Sequence, residues 1–138
     1  MQLKEIMTKP VETVAPTASL VDAARKMLVQ DIGALPVYDE QRVVGIITDR
    51  DIAIRAIANG LDPADTKVQE IMTNEVFSCD ADSDVEDACQ LMEEKQIRRL
   101  IVTDDQQGPI GIVSLGDMAL QLREEQSGEV LKEVSQPE

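Results

Sequence analysis

Apolar residues recur at helical spacing from Leu20 through Ala23, Ala24, Met27 and Leu28, and Ser19 with Asp22 supplies the polar pattern that caps such a helix. Two short apolar runs follow, ALPVY and VVGIIT, parted by polar residues, and they predict a β-hairpin. Thr48 opens a second helical pattern through Ile52, Ile54, Ala56 and Ile57. Asn59 and Gly60 stop it, glycine suiting the left-handed residue that ends a helix. A short extended piece, VETVA, runs ahead of this helix, strand, strand, helix unit.

The same order is then written again. Asp84 and Asp87 repeat the capping pattern before Val85, Ala88, Cys89 and Met92; RLIVT and PIGIVS repeat the hairpin; Ser114 opens a helix through Met118, Leu120 and Leu122; VFSCD is the extended piece. The stretch from Leu3 to Asp39 overlays that from Val68 to Asp104 at a constant offset of 65 positions, Glu5 falling on Glu70 and EIMT on EIMT. After one inserted residue near Gly108 and Pro109, Gly45 falls on Gly111 and Asp51 on Asp117, so that GIITDRD returns as GIVSLGD. The pattern predicts an α/β (α+β) protein of two units, residues 3–60 and 68–123, joined by a polar connector, 61–67. The tail, 124–138, is expected to form at most a short amphipathic turn at Val130, Leu131 and Val134.

Composition narrows the chemistry. In a chain of 138 residues, 43% hydrophobic content supports a compact core, and with Phe77 and Tyr38 as the only aromatics that core must be aliphatic. A net charge of −14 repels polyanions, so neither a nucleic acid nor an anionic membrane is an expected partner. Histidine is absent, which removes the commonest general base and zinc ligand. Cys79 and Cys89 match no metal spacing, and Cys89 falls on an apolar helix face as a small hydrophobe. No metal site is expected. Nor is an enzyme, because no nucleophile, base and orienting group can be named, and neither a P-loop nor a dinucleotide fingerprint is present. With no signal-peptide pattern and no long apolar span, the expected location is the cytoplasm, both thiols reduced.

Taken together, EIMT twice, IGALPV with IRRLIV, and GIITDRD with GIVSLGD resemble a tandem pair of CBS domains, a Bateman module of the stand-alone type, over about residues 3–123. The resemblance implies small sheets flanked by helices about a pseudo-twofold axis, two clefts between the copies, and a homodimer built through the helices. It further implies a regulatory module with no required cofactor, which takes an adenosine-containing ligand such as AMP, ADP, ATP or S-adenosylmethionine and acts on a protein partner or a regulated enzyme. By the same resemblance Ser114 and Asp117 would hold a ribose, Arg99 a phosphate, and Ile32, Gly33 and Ala34 the adenine, with Thr13 completing the pocket. A second, weaker cleft would use Thr48, Asp51, Ile97 and Arg98.

Two readings of the repeated phrase stay open. Thr48 and Ser114 with Asp51 and Asp117 also fit plain helix caps, and Arg98 and Arg99 also fit a simple offset to an acidic surface. The alternative to a sensor is correspondingly a CBS pair with empty clefts, whose apolar dimer surface is its whole function.

Overall fold

The structure is a computed structural model describing residues 1–8, 12–104, 108–121 and 123; the tail and Leu122 lie outside the described residues. After a 3₁₀ turn at Leu3–Glu5, α1 (Leu20–Gln30) starts where the Ser19 hydroxyl accepts from the Asp22 amide at 3.1 Å. Strands β1 (Ala34–Tyr38) and β2 (Val43–Thr48) form an antiparallel hairpin, and α2 (Asp49–Asp51) runs on as a π-helical stretch, Ile52–Ile57. There the amides of Ala58 and Leu61 reach five residues back, to Ala53 and Ala56, and Gly60 ends the segment at φ +74°. The second unit comprises α3 (Val68–Ile71), β3 (Ser78–Asp80), α4 (Val85–Lys95), β4 (Arg99–Asp104), β5 (Gly108–Ser114) and a helix α5 over 115–121.

Both hairpins carry a register shift at matching places, Val37/Tyr38 and Val102/Thr103, and both long helices end on a left-handed residue, Asp31 and Gln96. The copies differ in their extended pieces. In the second, β3 pairs parallel with β4, and the Ile101 amide donates to the Phe77 carbonyl at 3.1 Å. The position equivalent to Ile101 in the first copy is Pro36, which has no N–H to give. Pairing there shrinks to a single bridge, Val14 to Val37, and the hairpin remains a two-stranded sheet.

One expected cap is corrected. Asp84 makes no side-chain cap bond; the first amide of α4, on Val85, donates instead to the Met1 carbonyl at 2.9 Å, while Gln2 bridges to Asp84. The contact matches one in α1, where the Leu20 amide donates to the Thr66 carbonyl and Ser19 bridges to Lys67; what α4 lacks is the further side-chain bond that Ser19 supplies.

That contact belongs to a larger exchange. Leu3 is fully buried in the core of the second unit, beside Val85, Ala88, Met92, Leu100 and Met118. Val68 and Ile71 are buried in the core of the first, with Leu20, Leu35, Val37 and Ile47. The connector that carries Val68 there is an ordered turn: the Thr66 hydroxyl donates to the Asp62 carbonyl, and the α1 amides of Leu20 and Val21 donate to the carbonyls of Thr66 and Pro63. Each repeat therefore lends its EIMT segment to the other repeat's core. The lent segments end in matching two-way bridges, Thr8 with Ile112 and Thr73 with Ile46. A third, small core of Ala34, Ile101 and Ile112, with Val43, Ile46 and Val76 against it, fills the space between the two sheets.

The glycines of the repeated phrase are explained by this exchange. A Cβ on Gly45 would lie 2.6 Å from the Met72 sulfur and 2.9 Å from the Thr73 carbonyl; one on Gly111 would lie 2.5 Å from the Met7 sulfur, all its near neighbours being atoms of that side chain. A methionine can swing away, whereas a backbone carbonyl held in a bridge cannot. Gly45→Ala is thus expected to cost about 1–3 kcal/mol, as overpacking does, and Gly111→Ala distinctly less. Urea unfolding of the two variants checks this, and equal costs would refute it.

Candidate functional site

The exchange leaves a cleft on each side of the paired sheets. The larger has a volume of about 340 Å³. One wall is the turn from α1 into β1, where Asp31, Ile32, Gly33 and Ala34 contribute; Ser114 and Asp117 stand opposite, at the passage from β5 into α5, with Arg99 on β4 beside them and Thr8 and Ile112 at the floor. The fold brings Arg99 and Ser114 together directly, as cross-strand partners. The Asp49 amide closes the turn by donating to the Gly33 carbonyl at 2.9 Å, and a Cβ at Gly33 would meet the Asp49 carboxylate at 2.9 Å. The Asp49 carboxylate is the exposed end of a side chain that can swing away, so this approach is closer to that of Gly111 under Met7 than to that of Gly45 under the Thr73 carbonyl.

Of the residues expected in this cleft, Ile32, Gly33, Ala34, Arg99, Ser114 and Asp117 line it and Thr13 does not. The extended piece bearing Thr13 runs along the outer edge of β1, where the Thr13 carbonyl accepts from Lys26 Nζ at 2.6 Å. Thr8 takes the expected place through its bridge to Ile112. Thr8 was legible in EIMT, whose threonine recurs at Thr73 in the matching position of the other cleft.

The smaller cleft, about 210 Å³, is the pseudo-symmetric counterpart. It brings together all four expected residues, Thr48, Asp51, Ile97 and Arg98, and adds Arg50, Arg99, Thr73, Glu75 and Ile46. Arg99 lines both clefts.

The two repeated aspartates are not equivalent. Asp51 is buried and spent on structure: its Oδ2 accepts from the Thr48 amide at 3.1 Å, the Thr48 hydroxyl accepts from the Asp51 amide at 3.0 Å, and Arg55 Nε lies 3.7 Å from Oδ1. In the larger cleft the Ser114 hydroxyl accepts from the Asp117 amide at 3.0 Å, but among the described residues no bond returns to the carboxylate, which is exposed. The cap reading thus holds in full for Asp51 and by half for Asp117. The Asp117 carboxylate faces the cleft side with its acceptor sites open, suited to a pair of neutral hydroxyl donors.

Elsewhere, burial pushes the thiols of Cys79 and Cys89 above their ordinary range, reinforced by Asp87 for the first and by Glu93 and Glu86 for the second. Both are half-buried against the second core and are held protonated at neutral pH, as poor nucleophiles. Amides of Arg42 and Gln41 donate to Asp39 in the first hairpin turn and hold its carboxyl below the usual range. Among the described residues no three His, Cys, Asp or Glu side chains gather as metal ligands, and no helix is long and apolar enough to cross a membrane.

The sequence model of the CBS domain matches this chain twice, at residues 3–57 and 68–124. The chain belongs to the CBS domain family. The CBS domain-containing protein YhcV of Bacillus subtilis is 42% identical over 134 residues, covering 96% of this chain and 94% of that one. The CBS domain pair of protein MJ0100, solved with 5′-methylthioadenosine and S-adenosyl-L-methionine, superposes with a TM-score of 0.76 at 31% identity, over 91% of this chain and 98% of its own. A hexameric CBS-CP12 protein from bloom-forming cyanobacteria gives a TM-score of 0.79 at 30% identity, over 91% of this chain and 74% of its own. The two CBS repeats are the two halves of the packing described above.

Within this CBS pair the aspartates can be told apart without a ligand. Asp51→Ala strands the Thr48 amide beside a buried hydroxyl and is expected to cost about 1–3 kcal/mol. Asp117→Ala is expected to stay within about 0.5 kcal/mol of the parent. Denaturant midpoints decide it, and a large loss at Asp117 would return that residue to a purely structural role.

Proposed function

We propose that this CBS pair is a non-catalytic sensor that binds an adenosine-containing ligand in the larger cleft and transmits its occupancy to a partner. The observation that carries the reading is the meeting, in one cavity of about 340 Å³, of an open carboxylate and hydroxyl from the second repeat with the main-chain turn of Ile32, Gly33 and Ala34 from the first. A cavity of this size falls within the range that holds small ligands. Asp117 and Ser114 suit the ribose hydroxyls, the backbone of Ile32, Gly33 and Ala34 leaves room for the flat face of an adenine, and Arg99 supplies a phosphate-binding fork. The adenosyl ligands solved with the CBS pair of MJ0100 support the class of ligand. A signal results to the extent that the ligand binds one arrangement of the two repeats better than another.

Thermal unfolding with AMP, ADP, ATP, 5′-methylthioadenosine and S-adenosylmethionine tests the reading at fixed protein concentration. A true ligand at about 100 times its Kd adds about 2.7 kcal/mol, and Asp117→Ala abolishes the gain. Arg99→Ala is expected to weaken the phosphate-bearing ligands and spare the others. A midpoint that no member of this set moves would sink the proposal.

A second reading, self-association as the main role, is favoured by the helices. Leu28 is 81% and Val29 78% exposed on α1, with Ile54, Ile57 and Leu120 more than half exposed on the helices after β2 and β5. This apolar surface suits a homodimer formed helix to helix, and the hexamer of the CBS-CP12 protein shows that a similar chain assembles. Leu28→Lys with Val29→Lys is expected to turn a dimer into a monomer in sedimentation experiments without altering the circular dichroism of the fold. A wild-type monomer at micromolar concentration would refute the dimer.

A further inference from the structure

Where the two repeats depart from one another around the clefts, the arginines gather at one of them, against a single added carboxylate there, Glu75, whose counterpart in the first copy is Pro10. Gly33 and Ala34 of the first copy correspond to Arg98 and Arg99 of the second, and Arg50 corresponds to Gly116. The small residues fall at the larger cleft, while Arg50, Arg98 and Arg99 converge on the smaller one. No carboxylate among the described residues lies within ion-pair distance of any of these three arginines, although the chain carries 27 acidic residues against 13 basic ones. The Asp51 carboxylate beside them is turned to the Thr48 amide and to Arg55. A trio of unpaired guanidinium groups around a cavity of about 210 Å³ fits a compact polyanion, and the cavity offers no main-chain turn of small residues for a base.

Arg99 belongs to both cavities, and one guanidinium cannot close its fork on two phosphate groups that lie in different clefts. We propose that the smaller cleft takes a phosphate-rich anion, and that through Arg99 this anion and a phosphate-bearing nucleoside in the larger cleft exclude one another. A nucleoside without phosphate is indifferent to the anion. The inference rests on the adenosine reading of the larger cleft and adds to it a second ligand class and the sign of the coupling between the sites.

Titration calorimetry at constant ionic strength and without magnesium tests it, with inorganic tripolyphosphate as the anion and AMP and adenosine as the nucleosides. Saturating tripolyphosphate is expected to weaken AMP at least about tenfold, the worth of one charge-assisted hydrogen bond, and to leave adenosine unchanged. By reciprocity AMP weakens tripolyphosphate by the same factor. Arg98→Ala, which touches only the smaller cleft, is expected to lower tripolyphosphate affinity and keep that of AMP. Arg99→Ala is expected to weaken both ligands and to remove their antagonism.

Antagonism that persists or grows in Arg99→Ala would mean plain repulsion between anions and would overturn the sharing. Antagonism with no effect of Arg98→Ala on tripolyphosphate would mean competition inside the larger cleft and would overturn it too, as would a failure of tripolyphosphate to bind. In each of these cases adenosine binding survives and the sensor reading stands. If neither adenosine nor AMP binds, the sensor reading falls and the coupling falls with it.

Discussion

The reciprocal loan of the EIMT segments is the constraint on which the rest of this structure depends. Leu3 completes the second core and Val68 the first, so neither repeat can bury its apolar face without the other's opening residues. The bridges of Thr8 with Ile112 and Thr73 with Ile46 then fix each loan to a strand of the opposite hairpin by paired backbone bonds. Those strands must accept a neighbouring chain at close range, which is why each carries a glycine under a methionine, Gly111 under Met7 and Gly45 under Met72. The clefts follow as a geometric consequence. Each is the space left where a lent segment, a hairpin end and the helix turn of the other repeat meet, so a ligand there touches both halves at once. A ligand that touches both halves biases their arrangement to the extent that it fits one arrangement better than another.

Symmetry of fold has not produced symmetry of chemistry. The phrase that begins each cap is conserved in form between the copies, yet Asp51 is locked by reciprocal bonds in a buried turn while Asp117 keeps an exposed carboxylate. The same motif therefore serves stability in one place and leaves a free acceptor in the other. Among the described residues, the reciprocal cap that the sequence suggests twice is complete only in the first copy.

Much of this was legible beforehand. The offset of 65 residues, the hairpins and the helix starts at Ser19, Thr48 and Ser114 are local features, set by apolar spacing and by caps that act within four residues. Ten of the eleven expected site residues line the two clefts, the family resemblance having pointed to those positions. What escaped were contacts between parts distant in sequence. Thr13 was placed at the cleft because it lies on the extended piece, and only the pairing of Val14 with Val37 shows that this piece runs along the outer edge. Asp84 kept the look of a cap but makes no side-chain cap bond, and the backbone contact that does start α4 comes from Met1, far away in the sequence. The left-handed residues at Asp31 and Gln96 carried no glycine signal to mark them.

Charge offers the last step. Summed over the chain, the field of a −14 charge argues against an anionic ligand. At physiological ionic strength, however, such a field fades within about 8 Å, and a small ligand in a cleft responds to what lines it. Three of the seven arginines stand around one cavity, unpaired among the described residues, so the local balance there runs opposite to the global one. Holding guanidinium groups together without partners is unfavourable through their mutual repulsion, and a fold with this many carboxylates had ample means to neutralise them. That it leaves them open, in a cavity whose two carboxylates are Glu75 and an Asp51 turned to Thr48 and Arg55, is the physical argument for proposing an anion there.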